Sequence, residues 1–428
     1  MAFSFLATGD IHLGRRPARV PLDQDASEFA PRRAWRALVQ TAIAQQVDAI
    51  ALTGDVVDQD NRFYEAYSDL QDGVQQLISE GIGVFAVAGN HDFDVLPRLA
   101  RQIDGFNLLG QGGRWETASL SARDGTAVRF VGWSFPSRHV TENPLASYRA
   151  PTDNIPTIGL LHCDCQAQTS SYGPVPLADI KGYDLDVWAL GHIHSGGAIG
   201  DGSPVVFYTG SPQGLDPSEV GPHGAWLVTL EPGKQPKLEQ QPLAALQWEH
   251  VDIPLDKVTT ESAMEQAVNQ SMRRLHKNIQ LQQAGQLRAV GCRLQLTGRT
   301  TLHRTMPSLA ARLAEDYKPS FDEILYFVES VHDKTRPDVA LGELARSSDP
   351  AGLLAQRLGV LDRRKPGDTY RDILAGARDA IAAQLPATVF ASLPGSEKPL
   401  ADDDVRDILL RSGFRALDML LAQKEAGE

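Results

Sequence analysis

No apolar run in this chain approaches the roughly eighteen residues that a membrane-spanning helix needs. The opening "MAFSFLATGD" reaches Asp10 too soon for the apolar core of a signal peptide, so the expected location is the cytoplasm, without a membrane partner. Cysteine is scarce: three in 428 residues give no disulfide framework. Cys163 and Cys165 stand as C-x-C but lack the second ligand pair of a structural zinc site, so reduced thiols are expected. There is no G-x-x-x-x-G-K-[ST] loop to cradle a triphosphate, which argues against an ATPase module in this chain. Positive charge is also in deficit. A formal charge of −13 argues against a general nucleic-acid coat, because neutralising phosphates requires clustered Lys and Arg. One local exception stands out: Arg15, Arg16, Arg19, Arg32, Arg33 and Arg36 share a stretch whose acids are Asp23, Asp25 and Glu28.

Short apolar runs, each ending in polar sequence, recur at 3–7, 48–53, 83–88, 128–132, 157–161, 187–190 and 205–208, and they read as buried strands. Amphipathic stretches such as "RRAWRALVQTAIAQQV" and "FYEAYSDLQDGVQQLISEG" fall between them and read as helices. Alternation of this kind predicts a layered α/β domain over 1–240. "LEPGKQPKLEQQPL" reads as a polar connection, and a β-α-β-α-β pattern follows at 245–335, a second small α/β domain. Residues 336–428 read as helical. In the last helix Asp402, Asp403 and Asp404 suit the positive end of the dipole. An apolar stripe there, Val405, Ile408, Leu409, Leu417, Leu420 and Leu421, serves either internal packing or a partner helix.

The chemistry sits in five strand-end motifs: "GDIH" (Asp10, His12), "GDVVD" (Asp55, Asp58), "GNHD" (Asn90, His91, Asp92), "LLHCD" (His162) and "GHIH" (His192, His194). In an α/β sheet the C-terminal strand ends converge on one crevice. Imidazoles mixed with carboxylate and amide oxygens suit Mn²⁺ above all, with Zn²⁺, Fe²⁺ or Mg²⁺ as alternatives, better than the all-oxygen shell of Ca²⁺. Seven such side chains are too many for one ion. Two ions roughly 3.5–4 Å apart can share a carboxylate, with Asp55 as the bridge, to clamp a phosphate and generate hydroxide at neutral pH.

The order Asp-x-His, Gly-Asp, Gly-Asn-His-Asp, His and Gly-His-x-His resembles the calcineurin-like metallophosphoesterase superfamily over residues 5–215. The resemblance implies a four-layer sandwich of two mixed β-sheets flanked by helices. It also implies one metal held by Asp10, His12, Asp55 and His194, and a second by Asp55, Asn90, His162 and His192. His91 would face the scissile phosphate as proton donor or transition-state stabiliser, oriented by Asp92. "DIHLG", "ALGHIHSGG" and "YTGSPQG" resemble the SbcD-type subunits of DNA double-strand-break nucleases, and "SFPSRHVTENPLASY" with "RLQLTGRTTLHR" their bacterial YhaO branch. Many relatives carry a histidine three residues after the Gly-Asp aspartate. This chain has Asp58, which lacks an imidazole's donor capacity at neutral pH.

Those resemblances imply a Mn²⁺-dependent DNA exonuclease or endonuclease, with a capping domain at 245–335. They also imply homodimerisation and an SMC-like ATPase partner gripped by the C-terminal helical region. DNA would be held through its backbone and ends by Arg15, Arg16, Arg19, Arg62, Arg138 and His139, since a guanidinium fork donates two hydrogen bonds to a phosphate. The alternatives within the same chemistry are a small-molecule phosphodiesterase or phosphatase and a non-catalytic DNA-end scaffold.

Overall fold

The structure is a computed structural model that describes residues 2–21, 24–58, 63–123, 125–166, 169–282, 286–363, 367–384 and 401–426. Contacts divide the chain into two compact units. The first comprises Met1–Val251, Met272–Leu294 and Leu313–Val331, and the second Asp252–Ser271, Gln295–Arg312 and His332–Glu428.

The first unit contains two six-stranded sheets. Across the first, the order is Lys237–Pro242, Gly224–Leu230, Phe3–Thr8, Ala49–Leu52, Gly83–Ala86 and Phe106–Leu108. Its last four strands are parallel, and Gly224–Leu230 joins Phe3–Thr8 antiparallel. The second runs Glu116–Ser121, Ala127–Trp133, Thr157–His162, Val187–Gly191, Val205–Tyr208 and Gly197–Ala198, with a parallel centre and antiparallel edges.

Side-chain alternation places Phe3, Phe5, Ala7, Ala49, Ala51 and Phe85 of one sheet against Phe130, Ile158, Leu160, Val187 and Phe207 of the other in a shared core. The opposite face of the first sheet, with Leu6, Ile50, Leu52 and Val84, packs on the helices Pro31–Gln45 and Phe63–Ser79 through Trp35, Leu38, Leu70 and Val74. Burial on both faces explains why these strands read as continuous apolar runs. The outer face of the second sheet is covered by Phe135, Leu145, Tyr148, Val175 and Ile180, from loops and short helices. The result is the expected mixed α/β sandwich with two mixed sheets.

One expectation needs correction. Part of the stretch read as a connection is the edge strand Lys237–Pro242, which is largely exposed and polar and so has no apolar run to betray it.

A third sheet, ordered Leu246–Pro254, Ala289–Thr297, Ile324–Asp333 and Ser320–Phe321, follows with helices Glu261–Leu281 and Met306–Asp316. In the second unit the helices Pro350–Asp362, Asp368–Gln384 and Asp402–Ala426 bury Leu358, Leu374, Val405, Leu410, Phe414 and Leu417 together. The stripe on the last helix is therefore engaged internally, with Leu409, Leu420 and Leu421 partly buried in the same cluster. Among the described residues no helix is long and apolar enough to cross a membrane.

Candidate metal centre

The parallel strands of both sheets end at one edge of the sandwich, and there the chain turns sharply. Asp10, His12, Asp55 and His192 adopt φ of 49°, 52°, 50° and 95°, a left-handed region in which a non-glycine residue stores roughly 1–3 kcal/mol of strain. Backbone bonds hold these turns against each other: the Asp10 amide donates to the Gly54 carbonyl and the His12 amide to the Asp55 carbonyl, both at 2.9 Å. Glycine makes the approach possible. A Cβ on Gly191 would lie 2.1 Å from the Thr53 carbonyl oxygen and 2.8 Å from His162 Nδ1. Gly54, at φ 98°, would meet the same imidazole nitrogen at 2.6 Å.

Two groups of ligand atoms result. Asp10, His12 and His194 offer atoms within 4.8 Å of one another, and so do Asp10, Asp55 and His162. Asp10 falls in both groups, while Asp55, the expected bridge, falls in one and also faces His12 and His91. Asp55 lies close enough for His162, His12 and His91 to favour its ionised form against burial. His162 Nδ1 donates to the Thr53 carbonyl at 3.0 Å, which points Nε2 into the centre. Nε2 lies 3.0 Å from Asn90 Oδ1 and 3.5 Å from Asp55 Oδ2, so an imidazole, an amide oxygen and a carboxylate converge on one point where a divalent ion could be held.

His12 supplies a second test of fit. Among the described residues neither of its buried ring nitrogens has a hydrogen-bond partner, with Asp58 Oδ2 lying 3.8 Å from Nδ1, a costly arrangement for an ordinary core histidine. Burial also drives its pKa down to about 3, which keeps the imidazole neutral and able to coordinate. The donor set therefore fits divalent metal, with Asp10, His12, His194, Asp55, Asn90 and His162 as the residues that would hold it.

His192 is placed differently. Its backbone amide donates to both Asp10 oxygens at 3.0 and 3.2 Å, while its ring centre lies 5.3 Å from that of His162 and falls outside both groups. Burial, then the neighbouring His162, lowers its pKa to about 4.

His91 is half-buried, with its amide bonded to Asp55 Oδ1 at 2.8 Å and its ring 5.0 Å from that of His12. Asp92 does not orient that ring as expected. Its Oδ2 accepts from the amides of Val56 at 2.7 Å and Val57 at 3.4 Å, and its Oδ1 from Gly89 at 2.7 Å, so this buried carboxylate braces the two ligand-bearing loops. Burial and the charge of Asp55 hold its pKa well above the usual carboxylate range.

Asp58 forms a third group with His12 and His91, and Arg15 Nε lies 3.2 Å from its Oδ2. Arg15 is thus paired through Nε at the rim of the centre, with its side chain still 40% exposed. Arg33 and Arg36 pair with Glu28 and Asp69. Arg16, Arg19, Arg138 and His139 are exposed, and Arg62 lies outside the described residues.

Sequence reasoning missed Glu219. Its Oε1 accepts from His194 Nδ1 at 2.8 Å, which turns Nε2 toward Asp10 Oδ1, 3.8 Å away. Burial works against a charged His194, but the Glu219 bond and the Asp10 charge carry its pKa up to about 9 in the metal-free chain. Glu219 is itself anchored, with Oε2 accepting from the Leu215 amide at 2.7 Å. No local motif marks it, because a loop brings it back to the site 25 residues after His194. Glu219→Ala is expected to weaken metal affinity roughly 10–100-fold, with Glu219→Gln recovering part of the loss, as read by Mn²⁺ titration.

Comparison with known proteins agrees with this geometry. Residues 3–196 match the calcineurin-like phosphoesterase model, and residues 248–336 match the middle domain of metallophosphoesterase YhaO. The metallophosphoesterase YhaO of Bacillus subtilis is 27% identical over 261 residues, covering 56% of this chain and 60% of that protein. The DNA double-strand break repair protein Mre11 of Methanosarcina mazei is 24% identical over 234 residues, 53% of this chain and 36% of that protein. Both alignments cover less than two thirds of the relative's own length. A crystal structure of a dimetal phosphatase from Danio rerio aligns over 56% of this chain and 96% of that chain at 14% identity, with a TM-score of 0.36, too low to support an inference. Residues 3–196 are thus a calcineurin-like metallophosphoesterase domain, and residues 248–336 a YhaO-type middle domain.

Proposed function

We propose that this chain is a divalent-metal-dependent DNA exonuclease or endonuclease of the SbcD type, with Mn²⁺ as its working metal. The observation that carries the hydrolytic part is the pair of ligand groups sharing Asp10, beside an orphaned His12 and a half-buried His91. Bound divalent ions supply positive charge to a phosphoryl group and lower the pKa of water. The chain's own contribution is to fix the ligands on strained strand ends and to set His91 where it can give a proton to the leaving oxygen.

DNA as the substrate is supported by the likeness to the archaeal repair protein and by the rim. Exposed His139 lies 5.8 Å, ring to ring, from Tyr172, which lies 5.1 Å from His192, so a polar and aromatic surface leads into the centre beside exposed Arg138. Within the same proposal the chain acts as a homodimer with an SMC-like ATPase partner in the cytoplasm, and the C-terminal helical region offers the docking segment.

The test is hydrolysis of end-labelled linear duplex DNA by the purified chain with added Mn²⁺. Shortening of the DNA is expected. His91→Ala should lower kcat by roughly 10²–10⁴-fold while Mn²⁺ binding is retained, because His91 transfers a proton without holding metal. Intact DNA alongside cleavage of a chromogenic phosphodiester would instead select a small-molecule phosphodiesterase.

A further inference from the structure

The C-x-C pair directly follows a metal-site histidine, and the centre described above makes no use of it. Cys163 is fully buried, Cys165 is half-buried, and their sulfurs lie 3.7 Å apart. Tyr208 clasps the segment between them: its hydroxyl donates to the Cys163 carbonyl at 3.2 Å and accepts from the Cys165 amide at 2.9 Å. The same short segment is tied to the second sheet, the Cys163 amide to the Gly191 carbonyl at 3.3 Å, and to the 172–174 loop through Asp164. Two sulfurs in contact, one reachable from solvent and one enclosed, form a pair in which the outer can be oxidised and the inner can resolve it.

We propose that Cys163 and Cys165 form a hydroperoxide-responsive dithiol that closes to a disulfide and draws His162 out of the metal centre. The inference rests on the metal-centre reading and is independent of DNA as substrate. The Cys165 sulfur attacks a hydroperoxide, the O–O bond breaks, and an alcohol (water, for hydrogen peroxide) leaves with the thiol proton, giving the sulfenic acid. The Cys163 sulfur then displaces the sulfenic hydroxyl, so that an S–S bond forms, an S–O bond breaks and water departs with the second thiol proton. Two electrons pass from the sulfur pair to the peroxide.

Closing the sulfurs from 3.7 Å to bonding distance tightens the three residues that follow His162. Tyr208 holds the Cys163 carbonyl and the Cys165 amide against this movement. The strain falls instead on the peptide that joins Cys163 to His162, through its 3.3 Å bond to the Gly191 carbonyl, and the proposal requires that the 3.0 Å bond from His162 Nδ1 to the Thr53 carbonyl yield so that the imidazole leaves Asn90 and Asp55.

The experiment treats the reduced, Mn²⁺-loaded full chain with hydrogen peroxide, then follows intact mass, thiol count, metal content and hydrolysis of a chromogenic phosphodiester. The expected result is a species lighter by two hydrogens, with one of the three thiols remaining. Bound metal should be lost, activity should fall roughly 10-fold or more, and dithiothreitol should restore both. Cys165→Ser and Cys165→Ala should begin with ordinary activity and keep it under peroxide, whereas Cys292→Ser should behave as the parent does. The proposal is overturned if no intramolecular bridge forms, if the bridged chain keeps its metal and activity, or if the Cys165 variants are inactivated as fast as the parent. That last result would place peroxide damage at the metal itself. Cleavage of the chromogenic diester before oxidation separates these outcomes from a failure of the nuclease reading.

Discussion

Asp10→Asn should abolish metal-dependent phosphodiester hydrolysis, with a loss of about 10³-fold or more, and yet leave the metal-free chain as stable as before or more so. Asp10 is the carboxylate shared by both ligand groups, so its loss disables both at once. Metal-ion stabilisation of a phosphoryl transition state amounts to several kcal/mol, and each 1.36 kcal/mol is tenfold in rate. The stability arm follows from burial. Asp10, Asp55 and Asp92 are all enclosed, and desolvation pushes the Asp10 carboxyl above its ordinary value. An asparagine oxygen can still accept from the His192 amide, now without a buried charge. Added Mn²⁺ should then raise the Tm of the parent chain and leave that of the variant unmoved, because a ligand stabilises only the state that binds it. Thermal unfolding with and without Mn²⁺, run beside the hydrolysis assay, checks both arms. A variant that retains the Mn²⁺ shift would show that Asp10 is not the shared ligand.

The second large effect is expected at a residue with no functional group. Gly191→Ala places a methyl 2.1 Å from the Thr53 carbonyl and 2.8 Å from His162 Nδ1. Neither neighbour is the free end of a flexible side chain. The Thr53 carbonyl is fixed backbone, and it is the acceptor that sets the His162 tautomer. Overpacking of this kind costs roughly 1–3 kcal/mol. Here it should also separate the strand ends that carry His162 and His192, so urea unfolding should report the stability loss and metal analysis a loss of bound Mn²⁺. If the variant unfolds earlier but binds Mn²⁺ normally, the sheets tolerate separation at that point and the tight approach is not what builds the centre.

Much of this was legible because function here is written at strand ends. A buried parallel strand appears in sequence as an apolar run, and the first polar residue after Gly must lie at the sheet edge, as Asp10, Asp55 and His192 do. Edge elements such as Lys237–Pro242 were not legible, since a half-solvated strand carries no continuous apolar signal. Side-chain partnership was less legible still. Asp92 follows His91 in "GNHD", which suggested an orienting role, whereas its carboxylate turns inward to the amides of Val56 and Gly89. Arg15 belongs to a cationic stretch, and nothing in that stretch announces that its Nε lies 3.2 Å from Asp58.

The class of chemistry was readable from the residues alone, because imidazole, carboxylate and amide donors at the ends of apolar runs have few uses other than holding borderline divalent metal. The layering was readable as well, through the alternation of buried strands and amphipathic helices. What no motif could show is that Asp10 falls in both candidate groups, that Glu219 returns from a distant loop to hold His194, that His12 has no hydrogen-bond partner among the described residues, and that the last helix packs on its own unit. The reason is physical. Periodicity fixes which face of an element is buried, but the meeting of one side chain with another depends on how far two chain segments, remote in sequence, are drawn together.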